Sequence, residues 1–208
     1  MNVPIEDAPG LDLQTLVARL PRPLGEVVSP DWLTALQRAD AAAPMAPPEG
    51  LRDAVRDLLR GHGYRPTGRG KPSSEYLAAA ASDGRLGSIN AVVDAGNAAS
   101  LHSGLPISVV DLARAAPPFA VRRPPAGTTF VFNRGGQEID VGGLLCLCDA
   151  EGPCANAVKD AQRTKTDAAT RDVLALVWAP HVGDGGHARR TADWLAELFE
   201  RIGAAVER

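Results

Sequence analysis

Glycine and proline punctuate this chain so often that it can fold only as many short elements joined by turns. The 21 glycines and 17 prolines are scattered among brief apolar-periodic runs, as turn chemistry requires. One longer amphipathic run stands out, His187 to Val206, with Trp194, Leu195, Leu198, Phe199 and Ile202 on one stripe; it predicts a C-terminal helix. Helical periodicity is also predicted from the Ser29-Pro30-Asp31 start, with Ser29 as cap, to about Ala43. Further helices are expected over Leu51–Arg60, stopped by Gly61 and Gly63, from Ser73-Ser74-Glu75 to Asp83-Gly84, and over Asn90–His102. Leu11 to Leu20 reads equally as an edge strand or a short helix.

After Pro106 the pattern becomes β-rich: Phe119–Arg123, Thr128–Asn133, Gln137–Val141, Leu144–Cys148 and Val173–Trp178, with Asn133-Arg134-Gly135-Gly136 as a hairpin turn. Helices first and strands afterwards make an α+β chain. With only 4 % aromatic residues, its core rests on Val, Leu, Ile and Ala. At 208 residues it is long enough for one generous domain and barely for two small ones. No apolar stretch reaches the length of a membrane span, and Asp7, Pro9 and Gly10 interrupt the start too early for a signal peptide. A cytoplasmic protein without membrane contact is the expectation.

Cys146, Cys148 and Cys154 are an odd set, read as reduced, buried small hydrophobes. They lack further Cys or His at ligand spacing, so neither metal nor cofactor is expected. A net charge of −3 argues against a general nucleic-acid binder and against DNA as a partner, but not against a protein that grips one RNA end. Basic residues cluster locally at Arg65, Arg69 and Lys71, and at Lys159, Arg163 and Lys165. Such clusters are more often solvated faces than sites. Gly-Arg-Gly at 68–70 is too weak for a phosphate loop, and no HExxH or Gly-x-Ser-x-Gly occurs.

Residues 87–111, GSINAVVDAGNAASLHSGLPISVVD, carry a more specific signal. Their frame of Ser88-Ile89-Asn90, Val92-Val93-Asp94, Asn97, Gly104, Pro106 and Asp111 resembles the B3/4 domain of the bacterial phenylalanyl-tRNA synthetase β subunit. The glycine-rich hairpin, the run Leu144–Asp149 entering Gly152-Pro153, and the pieces Tyr64-Arg65-Pro66, Lys71-Pro72-Ser73-Ser74-Glu75, Arg163-Thr164-Lys165-Thr166 and Thr170–Val173 resemble free-standing members in the same order. The resemblance implies a barrel-like β core flanked by helices: a single domain over 1–208, with residues 1–48 as an extension packed on it, 50–180 as the family core and 187–208 as the terminal helix. It also implies an editing pocket, which in the synthetase hydrolyses tyrosine wrongly esterified to the phenylalanine tRNA.

With no ATP-binding motif, this chain is expected to act in trans on the 3′ end of an aminoacyl-tRNA. Hydrolysing an already activated ester needs a positioned water and a stabilised oxyanion rather than a covalent nucleophile. Asn97 falls on the asparagine of the family's pocket, and its amide can both donate and accept. Asp94, one turn earlier, is read chiefly as fixing backbone. Ser108 stands where the family has a pocket histidine, so an imidazole is lost. Ser108 is a candidate to line the pocket, against a plain turn role, and His102 a candidate substitute for the imidazole, against a cap or surface role. Lys159 and Asp160 are candidates for the amino group or a polar side chain, and Arg163, Lys165, Arg65, Arg69 and Lys71 for terminal phosphates. The competing readings are a non-catalytic tRNA- or amino-acid-binding module, and a protein-interaction domain using an exposed Trp194/Leu198/Phe199 stripe.

Overall fold

The computed structural model describes residues 1, 3–60, 64–182 and 185–208; the predicted helix stop at Gly61 and Gly63 lies outside them. In chain order the elements are β1 Leu11–Arg19, α1 Asp31–Ala35, α2 Leu51–Arg60, α3 Ser73–Ser82, α4 Ala91–Ser103, β2 Ile107–Asp111, β3 Ala120–Arg122, β4 Thr129–Val131, β5 Glu138–Asp140, β6 Cys146–Asp149, β7 Gly152–Asn156, β8 Asp172–Pro180, α5 Gly186–Arg201 and β9 Ala205–Glu207. The chain is α+β.

A four-stranded antiparallel sheet in the order β2-β8-β1-β9 divides the molecule. Strand β8 reads as an almost unbroken apolar run because both its faces are covered. Its side chains alternate between the two faces, as the pleat demands. Val173, Ala175, Val177 and Ala179 pack with α4, α5 and the first residues of α2. Leu174, Leu176 and Trp178 pack with the three-stranded sheet β3-β6-β7 and the β4-β5 hairpin. The strands thus lie in sheets of four, three and two. No barrel closes among the described residues, which corrects the barrel-like core expected from the resemblance.

Other departures have local causes. β1 is a strand, and it lies between β8 and β9 rather than at an edge. The helix begun at Pro30 stops at Ala35, not Ala43. Ser29 does not cap it; its hydroxyl donates to the Asp94 carboxylate. The Leu36 carbonyl, needed to extend the helix, accepts instead from the His102 imidazole at 2.9 Å. α5 ends at Arg201 because Gly203 turns with φ +92°, and the chain then adds β9 against Val17–Arg19 of β1. β7 escaped the sequence reading because it opens on Gly152-Pro153, residues tolerated there at the edge of its sheet. Trp194, Leu195, Leu198 and Phe199 are buried in the helical core, so this stripe offers no interaction surface.

Candidate functional site

Helix α4 is built to bring one face against the edge of the main sheet. Asn90 caps it, its Oδ1 accepting from the Val93 N–H at 2.9 Å and its Nδ2 donating to Thr166 Oγ1 at 3.2 Å. Asp94 is fully buried and collects the hydroxyls of Ser29 and Ser88 and the Ile89 N–H. Its role in this arrangement is to tie the entering loop to the first turn. Gly96 allows the helix to approach β2 closely: a Cβ there would stand 3.2 Å from the Val109 side chain. At the far end Gly104 adopts φ +76° and its N–H returns to the Ser100 carbonyl at 3.0 Å, a left-handed cap suited to glycine.

Between α4 and β2 opens a cleft of about 310 Å³. Ile89, Val93, Ile107 and Val109 give it an apolar wall, and Asn97, Asp160, Gln162, Lys165, Thr166 and Arg134 a polar one. The side chain of Asn97, half-exposed, makes no hydrogen bond among the described residues, so its amide is available to a ligand. Asp160 arrives on the turn after β7. There Asn156 Oδ1 accepts the N–H groups of Val158 and Lys159 at 2.8 and 2.9 Å, and Ala161 N–H donates to the Cys154 carbonyl at 2.8 Å. The carboxylate oxygen Oδ1 of Asp160 is buried with no hydrogen-bond partner. Burial pushes its carboxyl up to about 6, against the opposing pull of Ser108, Lys165 and the backbone of Val109 and Asn156. Lys165 is lowered by burial and held up by Asp160, and its Nζ donates to the Phe132 carbonyl at 2.5 Å.

Ser108 lies one residue out of phase with Ile107 and Val109 and is buried beneath the cleft. It accepts from Trp178 Nε1 at 3.0 Å and donates to the Asn156 carbonyl at 3.2 Å. It thereby clamps the turn carrying Asp160 to β2. His102 is buried elsewhere, bonded to Leu36 and edge-on to Trp194 at 6.0 Å between centroids. Arg163 is committed to a bidentate pair with the buried Asp149, both bonds at 2.7 Å, and to the Gly152 carbonyl at 3.0 Å. Burial works to raise Asp149, but Arg163 and the N–H groups of Ala116 and Glu151 outweigh it and hold the carboxyl below the usual range.

Arg65, Arg69 and Lys159 face a separate, larger cleft of about 620 Å³ with Tyr64, Tyr76 and Phe132. Lys71 lines neither cleft. Of the residues read from the sequence, the structure therefore gathers Asn97, Asp160 and Lys165 at one cleft and Lys159, Arg65 and Arg69 at another. Arg134, Gln162 and Thr166, and the three aromatics, were not singled out. For Arg134 the available signal was the hairpin that places it at a tip.

The sequence that folds into these elements belongs to a recognisable class. The B3/4 domain family matches residues 65–182, more than half of the chain, and the chain belongs to that family. Among solved structures it is similar to an N-terminal fragment of the phenylalanyl-tRNA synthetase β subunit from Pyrococcus horikoshii. That likeness has a TM-score of 0.48 at 12 % identity and covers 55 % of this chain and 40 % of that one. No curated protein matches the chain. Among the described residues no helix is long and apolar enough to cross a membrane, and no group of three or more His, Cys, Asp or Glu side chains is placed to hold a metal ion.

Proposed function

We propose that this B3/4 protein hydrolyses the ester of a mischarged aminoacyl-tRNA in trans, with the α4–β2 cleft as its site. The observation that carries this reading is the pairing, in one cleft, of an uncommitted amide, Asn97, with the largely buried carboxyl of Asp160, which burial raises to about 6. The Asn97 Nδ2 donates to the ester carbonyl oxygen, and the Lys165 ammonium adds positive charge where the oxyanion develops. Asp160, poised near neutrality, takes a proton from the attacking water. The new bond joins the water oxygen to the acyl carbon. Collapse of the resulting tetrahedral oxyanion breaks the bond to the ribose oxygen, which takes the proton back from Asp160. Asp160 thus supplies, close to neutral pH, the proton-accepting capacity that the family's histidine would bring and Ser108 does not.

A non-catalytic aminoacyl-tRNA-binding module is the second reading. It is favoured by one observation: no imidazole lines the cleft among the described residues, His102 and His187 being bonded to the carbonyls of Leu36 and Ser103. The two readings separate when the purified chain is incubated with a panel of correctly and wrongly charged tRNAs. Selective loss of one mischarged ester is expected, slowed about 100-fold by Asn97→Ala, the usual effect of removing one oxyanion donor. Binding without acceleration across a broad panel would sink the enzyme.

A further inference from the structure

The cleft bounded by the loop 64–70, α3 and the β4-β5 hairpin has a composition that the hydrolysis does not use. Its aromatic faces are fixed. Burial pushes the Tyr64 phenol up to about 12, and its hydroxyl donates to the Gly70 carbonyl at 3.1 Å. The exposed Tyr76 donates to the Gly68 carbonyl at 2.7 Å. The two tyrosines therefore pin the loop on either side of Arg69. The Lys159 ammonium lies 4.7 Å from the Phe132 ring centroid and 5.1 Å from that of Tyr76. Burial lowers Lys159, and the cations of Lys165 and Arg69 lower it further. Arg65 and Arg69 form no ion pair among the described residues. Flat apolar faces beside uncompensated positive charge are what an aromatic base with its phosphate requires. Glu138 and Asp140, exposed on β5 where the hairpin lines the same cleft, would repel a phosphate and so favour its seat at the arginine loop.

The two clefts also share a wall. Consecutive residues Lys159 and Asp160 face one cleft each, and Lys165 of the first bonds the carbonyl of Phe132 in the second. We propose that the second cleft seats the base and phosphate of a nucleotide, stacked on Tyr76 and Phe132 with Arg69 and Lys159 on the phosphate. On the deacylase reading, on which this assignment of the ligand rests, it is the terminal nucleotide of the RNA whose aminoacyl group fills the first cleft. A base entering the slot displaces the Lys159 ammonium toward that phosphate.

The test is binding of a 5′-labelled, uncharged single-stranded RNA ending in CCA to the full chain, read by fluorescence anisotropy, with AMP as competitor. Tyr76→Ala should weaken binding about 10-fold, whereas Tyr76→Phe, which keeps the ring and loses the bond to Gly68, should bind as wild type. Arg69→Gln should weaken binding and reduce the slope of log affinity against log salt by about 0.7. Displacement by AMP, impaired alike by Tyr76→Ala, assigns the seat to free nucleotides as well. Failure of AMP to displace bound RNA restricts the seat to an RNA end. Wild-type binding by both Tyr76→Ala and Arg69→Gln overturns the proposal, as does a Tyr76→Phe defect equal to that of Tyr76→Ala. Because the RNA carries no ester, intact binding with no hydrolysis removes only the deacylase. Selective deacylation with RNA affinity and kcat/KM unaltered in Tyr76→Ala removes only the nucleotide seat.

Discussion

Asp160 is costly to the fold. Folding lifts its carboxyl from about 3.9 to about 6, so between those values the folded chain holds a proton that the unfolded chain releases. Stability contributed by this group therefore falls as pH rises through that window and stays low above it. Asp160→Asn is expected to stabilise the chain by about 2 kcal/mol at pH 7 and hardly at all near pH 4, as urea denaturation at the two pH values will show. The same variant should lose acceleration of ester loss, which in wild type should climb as pH passes 6. A destabilising group kept at a cleft is how sites are commonly recognised. Asn97 was legible in the sequence through its place in the 87–111 segment. The charge state of Asp160 was not, because it depends on its burial in the fold and on the distant Ser108 and Val109 of β2 meeting the turn that carries Asn156 and Lys165.

At the scale of elements, the short strands and turns are held by side chains placed between them. Asp149 at the end of β6 is buried and charged, and Arg163 reaches it from the 3-10 turn Gln162–Thr164 after β7. Arg163→Met removes one partner of a buried pair, and about 3 kcal/mol of stability should go with it. Because the Asp149 carboxyl is depressed, the contribution of the pair is present above the unfolded value near 4 and is lost as pH falls through its folded value. Guanidinium denaturation at pH 7 checks the first statement and the acid limb of the stability profile the second. Cluster reasoning on the sequence grouped Arg163 with Lys159 and Lys165 because they are near in number. The turn separates them by direction, sending Arg163 toward Asp149 and Lys165 to the cleft. Helices α2 and α3 were legible from periodicity and breakers. α1 was overrun because its stop lies in the bond from His102 to the Leu36 carbonyl, a contact 66 residues away.

For the whole molecule, β8 belongs to both cores. Its alternate residues fill the helical layer and the β layer, so neither layer can be lost without stripping one face of the central strand. Unfolding should then be a single transition despite the two clusters. Coincident urea curves from far-UV circular dichroism and from tryptophan fluorescence are expected, with Trp178 reporting one layer and Trp194 the other; separated midpoints would disprove the coupling. The sequence showed β8 as an apolar run, but not that two layers share it, because an unbroken run does not say what covers each face. Cys146, Cys148 and Cys154 are fully enclosed on the β side of that strand, and burial drives each thiol up, away from its reactive anion. An alkylating dye added to the folded chain must therefore wait for the β layer to part. The rate at which the three sulfurs take up label is a clock for the opening of this molecule, one that needs no engineered residue.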